Sequence, residues 1–532
     1  MRKKLGTVIS GALSEGFSVR LDRQVQLEKI KTGHFVVLAG TNYRFFSLVT
    51  DLKLEVANPE IMLAPPGEHE SLLYQVLSQR DIFAVAHIKP VIMLDQANQI
   101  SPVKTIPPHF ALVHEANAQD VALIFGEERQ NTKYFKIGQP LDMDAAVCLD
   151  LEKLVERSNG IFGKTGTGKT FITRLILAGL IKNQKAVNLI FDMHSEYGLQ
   201  SRTESQGHGF VKGLKTLFPD KVVIFSLDPA STRRRGGAPD VCVTISYQDI
   251  KVSDVLSLQD ELNLHSTALE AAYLIYAKYK ENWLQKLLQV GGDQPKELAQ
   301  EVGAHPESVA ALYRKLRRIE QLPFFVDSSA PRAQVFEQLL EYLNRGTSVI
   351  IEFGNFTSTF VYLLIANIVT GRIHDAYVRK TEKFLGSQSK SDEPQKLLIT
   401  IEEAHKFLNP VAAKQTIFGI IAREMRKYYV SLLVVDQRPS GIDPEIISQI
   451  GTKIIAQLSD DQDLQAVLTG VSNAQGLKTI LATLDTKKQV LVLGHAITMP
   501  VVIETREYGE LFYRDMQAEL LPIEATIQEL YQ

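Results

Sequence analysis

A chain of 532 residues is longer than one hydrophobic core organises, so two to four structural units are expected. With 45% hydrophobic and 22% charged residues the composition is that of a soluble protein, and no apolar run reaches the ~20 residues that span a bilayer. The net charge of −3 excludes a broadly basic surface, so any contact with nucleic acid must come from a local patch or a channel.

The N-terminus, Met1-Arg2-Lys3-Lys4, is basic, but Gly6 to Leu21 alternates instead of forming an apolar stretch, so no signal peptide is expected. Cys148 and Cys242 stand in apolar, strand-like settings, which predicts buried free thiols of a cytoplasmic protein. Residues 1–115 carry short β-like runs: Gly6–Val8, Phe17–Leu21, His34–Leu38, Phe45–Asp51, Glu70–Val76, Phe83–Ile88 and Val91–Leu94. Gly, Pro and Asn punctuate them, which predicts a small all-β barrel with no catalytic features of its own.

Residues 116–252 switch to strand–helix alternation. Strand-like runs end at Phe162, Asp192 and Phe225, as in a parallel sheet covered by helices. Residues 253–345 read as helical, with a long periodic segment Leu262–Val290, then Glu297–Val302, Pro306–Glu320 and Val335–Asn344. Strands resume at Val349–Phe353 and continue at Lys396–Ile401, Val430–Asp436, Lys453–Gln457 and Gln489–Leu493, with the polar stretch Thr381–Gln395 expected as a surface loop. The predicted fold class is therefore α/β: a P-loop ATPase core, residues 116–252 and 346–532, with a helical insertion and an N-terminal barrel.

The segment Gly163-Lys164-Thr165-Gly166-Thr167-Gly168-Lys169-Thr170 matches the whole phosphate-binding pattern G-x-x-x-x-G-K-[ST], between a strand-like run and an apolar helix. Glycines let backbone amides converge on phosphates, and the helix N-terminus favours the anion. Lys169 is expected to reach the β- and γ-phosphates of ATP, and the Thr170 hydroxyl to bind Mg2+.

A second acidic element follows at Glu402-Glu403-Ala404-His405, where the apolar run Leu397–Ile401 ends. Glu402 is expected to orient the metal and its waters, and Glu403 to deprotonate the attacking water. His405 reads as a supporting residue at a helix start. Asp192 ends another strand, either as a third acid of the metal and water network or as a helix cap. Gln437, after Val430–Asp436, stands where a neutral amide would sense the γ-phosphate. Arg423 and Arg426 are arginine-finger candidates, with solvated helix arginines as the alternative, and Arg157 is another arginine placed to cross an interface.

These pieces together resemble the HerA family of hexameric DNA-translocating ATPases. The carriers are the P-loop, Asp192-Met193-His194-Ser195-Glu196-Tyr197, Glu402-Glu403-Ala404-His405 and Gln437-Arg438-Pro439-Ser440, in that order along the chain. The N-terminal barrel looks like that family's HAS-barrel. The resemblance implies a RecA-like core assembled as a ring, the sixfold ring of the family, around double-stranded DNA. It also implies ATP between subunits, an arginine supplied in trans and a NurA-type nuclease as partner, in DNA end processing or phage defence. DNA contacts then fall to basic loops, with Arg233-Arg234-Arg235 as the first candidates and Lys212 and Lys215 nearby. The rival readings are a secretion- or conjugation-type ATPase and an ATP-switched scaffold. The paired glutamates favour turnover over a switch.

Overall fold

Apolar–polar alternation near the N-terminus places one face of each strand inward, and the strands close on one another. The computed structural model describes residues 2–532 except 59–60, 62–80, 130–131, 203–208, 257, 291, 328–333, 472–476, 479–480, 483, 486–487 and 518–532. The chain divides into two compact units, Met1–Asp150 with Gln489–Arg506, and Leu151–Lys488 with the segment from Glu507.

In the first unit, strands Lys4–Ala12, Gly16–Leu21, Phe35–Ala39, Arg44–Val56, Ile82–Leu94 and Leu112–Glu115 pair antiparallel. Gly16–Leu21 pairs with Ile82–Leu94 and closes the barrel, which leaves few free edges. Val8, Val19, Val36, Phe45, Ile88 and Val113 fill its interior. The runs expected as Phe83–Ile88 and Val91–Leu94 are one strand. Pro90 is accommodated because the register against the neighbouring strand shifts there, and a bulge needs no ladder hydrogen bond from proline. The expected strand Glu70–Val76 lies outside the described residues. A second antiparallel sheet in this unit is made of Tyr134–Pro140, Val147–Asp150, Gln489–Gly494 and Val501–Thr505.

The second unit is built on a parallel sheet. Its strands lie in the order Val241–Cys242, Val222–Ser226, Ser348–Glu352, Val187–Asp192, Leu397–Glu402, Val430–Asp436, Asn159–Phe162 and Thr452–Ile455. Every residue of Val187–Asp192 and of Val430–Asp436 is buried, which is why these runs are mostly apolar and do not alternate. Parallel pairing brings all the strand C-termini to one edge. Asp192 lies opposite Glu352, Glu402 opposite Val435, and Phe162 opposite Asp436. Open α/β sheets bind ligands at this edge.

The region between the strands Val241–Cys242 and Ser348–Glu352 is mostly helical, from Val252–Leu256 to Val335–Asn344, and is anchored by Trp283. That indole is fully buried and donates to the Ile250 carbonyl at 2.8 Å. Three expectations need correction. The periodic segment Leu262–Val290 is broken into Ser266–Tyr279 and Trp283–Val290, because Lys280 turns the chain at φ 50°. The polar stretch after Thr381 is not all loop, since the helix Thr359–Ser387 runs into it. Thr381 is buried there, and its hydroxyl donates to the Tyr377 carbonyl at 2.8 Å. Cys148 is a buried free thiol, but Cys242 is exposed, because Val241–Cys242 is an edge strand of two residues. Among the described residues no helix is long and apolar enough to cross a membrane.

Candidate active site

The strand Asn159–Phe162 delivers the P-loop to the sheet edge, and the helix Lys169–Lys182 leads away from it. Gly166 and Gly168 take left-handed φ values of 79° and 86°, which a side chain would strain. At Gly163 a Cβ would stand 2.7 Å from Thr167 Oγ1 and 2.8 Å from the Ala456 Cβ, so the loop closes only around glycine. The Lys169 ammonium donates to the carbonyls of Gly163 and Lys164, each at 2.8 Å, and so lies across the loop it serves. A cleft of about 330 Å3 opens here, lined among others by Thr165, Lys169, Thr170, Glu402, Glu403 and Gln437.

The facing wall is a row of acids. Glu402 is buried, and its Oε1 accepts the Tyr197 hydroxyl at 2.7 Å. The Tyr362 hydroxyl lies 3.2 Å from both the backbone carbonyl and the backbone amide of Glu402. Burial is the main reason its carboxyl is pushed up to about 7; the charges of Glu196 and Glu403 add to this, while the Tyr197 hydrogen bond and Lys169 oppose it. Its Oε2 is buried with no hydrogen-bond partner. That orphaned oxygen and the Thr170 hydroxyl on the same cleft form a hard oxygen-donor pair that fits Mg2+.

Glu403 adopts φ 49°, an uncommon conformation that turns its side chain off the strand line. Gln437 spans the cleft beside it. Its Oε1 accepts the Thr165 hydroxyl at 2.7 Å, and its Nε2 donates to Glu403 Oε1 at 3.3 Å. Behind Glu403, His405 Nε2 lies 3.8 Å from Glu403 Oε2, while Nδ1 is 3.0 Å from Asp436 Oδ2. The Asp436 hydrogen bond holds the imidazole above its ordinary pKa, against the opposing effect of burial. Asp436 also accepts the His405 backbone N–H at 2.6 Å and the Arg438 N–H at 2.7 Å.

Among the described residues no helix follows directly on Asp192, so it caps none; it holds a turn instead. Its carboxylate accepts the backbone N–H groups of Glu196 at 2.8 Å, Tyr197 at 2.9 Å and Gly198 at 3.4 Å. Complete burial, then the nearby Glu352 charge, push it up to about 7 despite those bonds. It thereby shapes the turn that carries Tyr197 to Glu402.

Residues 5–104 match the HAS barrel domain, and residues 135–373 match the central domain of helicase HerA. The DNA double-strand break repair helicase HerA of Sulfurisphaera tokodaii is 23% identical over 95% of this chain and 93% of its own. The protein of the same name from Pyrococcus furiosus is 23% identical over 78% of this chain and 76% of its own. The chain belongs to the HerA family. It is an ATP-hydrolysing enzyme with a P-loop nucleotide site. Among solved structures, the bacterial conjugative coupling protein TrwB, lacking its first 70 residues, aligns with a TM-score of 0.47 at 12% identity, over 74% of this chain and 93% of that one.

In this HerA-family chain the P-loop, Glu402, Glu403 and Gln437 meet in one cleft, and the arginines named from sequence lie elsewhere. Arg423 donates to the Ala413 carbonyl at 3.0 Å and pairs with Glu445 at 3.3 Å. Arg426 and Arg157 are exposed. Residues expected as a basic loop form the short helix Pro229–Arg234, capped by Asp228, with Arg233 and Arg234 exposed. Arg235 is held by the buried Glu352 at 2.6 Å. Lys215 is held by Asp240 at 3.0 Å and by the Val222 carbonyl at 2.8 Å. Sequence reasoning assigned no role to Tyr197, Tyr362 or Asp436. Tyr197 sits inside one of the motifs that carry the family resemblance and Asp436 directly precedes another, and that adjacency was the only signal.

Proposed function

We propose that this chain is an ATP-driven motor that translocates on double-stranded DNA as a ring. The observation that carries the proposal is Gln437, hydrogen-bonded at once to the P-loop through Thr165 and to the acid pair through Glu403. Such a bridge links the place where phosphate binds to the place where water is activated, and a motor needs that link.

Lys169 and the P-loop amides bind the β- and γ-phosphates. Thr170 and Glu402 are the residues that hold Mg2+, which when bound neutralises phosphate charge. Glu403 orients the attacking water and takes its proton. His405, fixed by Asp436, stands behind Glu403, with its Nε2 3.8 Å from Glu403 Oε2. Gln437 exchanges one of its two present bonds for the γ-phosphate and so senses ATP against ADP. Asp192 acts through the turn it holds, by placing Tyr197 on Glu402. Arg426, exposed after the helix Ile417–Glu424, is better placed than the already engaged Arg423 to reach a neighbouring subunit's nucleotide, and exposed Arg157 is a second candidate. Arg233 and Arg234 are the candidates for sequence-independent phosphate contacts, whereas Arg235 is committed to Glu352. The names of relatives that are double-strand break repair helicases support a reading of this motor in DNA end processing, and the proposal includes a NurA-type nuclease as partner and a hexamer as the assembly.

The test is displacement of a third strand from a DNA duplex by the purified protein with ATP and Mg2+, using Glu403→Gln as control. ATP-dependent displacement by the wild type and none by the variant are expected. Robust ATP hydrolysis with no displacement on any length of duplex would remove translocation on DNA from the account.

A further inference from the structure

Arg174 lies one helical turn past Thr170 on the P-loop helix, is 1% exposed, and has no part in the scheme above. Helical side chains lean toward the N-terminus of their helix, so an arginine four residues beyond Thr170 extends back along the same face toward the phosphate end. It lines the nucleotide cleft together with Lys169, Glu196 and Glu402.

Its direct partners are neutral. One guanidinium nitrogen donates to the Glu196 carbonyl and to the Ser201 hydroxyl, the latter at 2.6 Å. The guanidinium carbon stands 5.6 Å from the Phe171 ring centroid and 5.9 Å from that of Tyr508. Among the described residues no carboxylate forms an ion pair with it, and its Nε is buried without a hydrogen-bond partner. Arginine cannot shed its proton to escape such a place, and a buried charge is costly until an anion offsets it. The ring faces and two neutral acceptors hold the fork rigid, with a donor unused, on the wall of a cleft suited to a polyanion.

We propose that Arg174 binds the γ-phosphate end of the nucleotide within its own subunit and so makes the cleft distinguish triphosphate from diphosphate, an inference that rests on the nucleotide reading of this cleft. The γ end is chosen by Glu196. The guanidinium holds the Glu196 carbonyl, and the Glu196 carboxylate in turn lies close enough to Glu402 to act on that carboxyl. Glu402 and Glu403 mark the end of the cleft where water attacks. No bond is made or broken by Arg174; it offsets charge on the γ-phosphoryl oxygens.

The experiment measures the affinity of the full chain for ATPγS and for ADP, each with Mg2+, in the wild type, Arg174→Met and Lys169→Ala. Arg174→Met is expected to weaken ATPγS binding by about tenfold or more, the scale of a charge-assisted phosphate contact, and ADP binding by less than about threefold. Lys169→Ala is expected to weaken both. An unchanged ATPγS-to-ADP ratio in folded Arg174→Met, with Lys169→Ala still defective, overturns the role of Arg174 and leaves the nucleotide site standing. Normal binding by Lys169→Ala overturns the nucleotide reading itself. If Arg174→Met melts too low to assay, Arg174→Gln, which keeps amide donors for Glu196 and Ser201, is judged by the same ratio.

Discussion

The P-loop wall of the cleft, Gly163–Thr170, is made chiefly of backbone groups and one lysine. The facing wall, Glu402–His405 with Asp436 and Gln437, is made of side chains that meet across strands distant in sequence. The first wall depends on conformation: glycines at positive φ and a helix start, all within eight residues. The second depends on charge balance among Glu402, Glu403, Asp436 and His405, with Asp192 and Tyr197 behind them. Binding can therefore be preorganised locally, while hydrolysis needs long-range packing of the sheet edge.

If that division is right, variants on the two walls must fail differently. The largest effect is expected for Glu403→Gln, with turnover falling by about 10²- to 10⁴-fold, the range for loss of a general base. ATP binding by the same variant is expected to persist, as read by equilibrium titration. Lys169→Ala is its opposite number and should abolish binding along with turnover. Retained ATP binding in Lys169→Ala, or full turnover in Glu403→Gln, would break the division.

Tyr197→Phe comes next. It leaves Glu402 Oε1 buried without its donor, a loss of about 1–3 kcal/mol for a stranded buried acceptor. Thermal unfolding of the nucleotide-free protein should register it, together with a rise in the Mg2+ concentration needed for half-maximal turnover. A melting temperature equal to that of the wild type would mean that the hydroxyl does not hold Glu402.

The smallest effect is a pH dependence confined to the side-chain wall. Glu402 and Asp192 are held at about 7 in the folded chain, against ordinary values of 4.5 and 3.8. The folded protein therefore keeps protons that the unfolded chain releases. Their contribution to stability is fully present below the ordinary carboxylate values and is lost as pH rises through about 7. His405, also raised, acts with the same sign at the upper end of that window. The nucleotide-free protein should melt at a lower temperature at pH 8 than at pH 6, and Glu402→Gln should flatten part of that slope. A melting temperature that rises with pH across this window would contradict the assigned burial of these acids.

The difference between the walls also explains what could be read from the chain. The P-loop is legible because its geometry is local: glycine spacing, a strand before and a helix after. The barrel was legible from alternation, although the strand through Pro90 was not, since a bulge is a property of the pairing and leaves little trace in one strand's own residues. Glu402, Glu403 and Gln437 were legible as strand-end residues. That Gln437 touches Thr165, or that His405 binds Asp436, depends on strand order, which no single segment encodes. Arg235 looked like part of a free basic run because its partner, Glu352, lies 117 residues further on. Thr381 read as the start of a loop because its hydroxyl bonds back within its own helix, an arrangement that polar composition hides.

The central claim is that nucleotide hydrolysis in this cleft is coupled to DNA. Its most direct test is the steady-state ATPase rate with and without linear double-stranded DNA, at low and raised salt, with Lys169→Ala as background. The account predicts strong stimulation that weakens as salt rises, because phosphate contacts release counterions. A rate indifferent to DNA at every salt concentration, above the Lys169→Ala background, would contradict it.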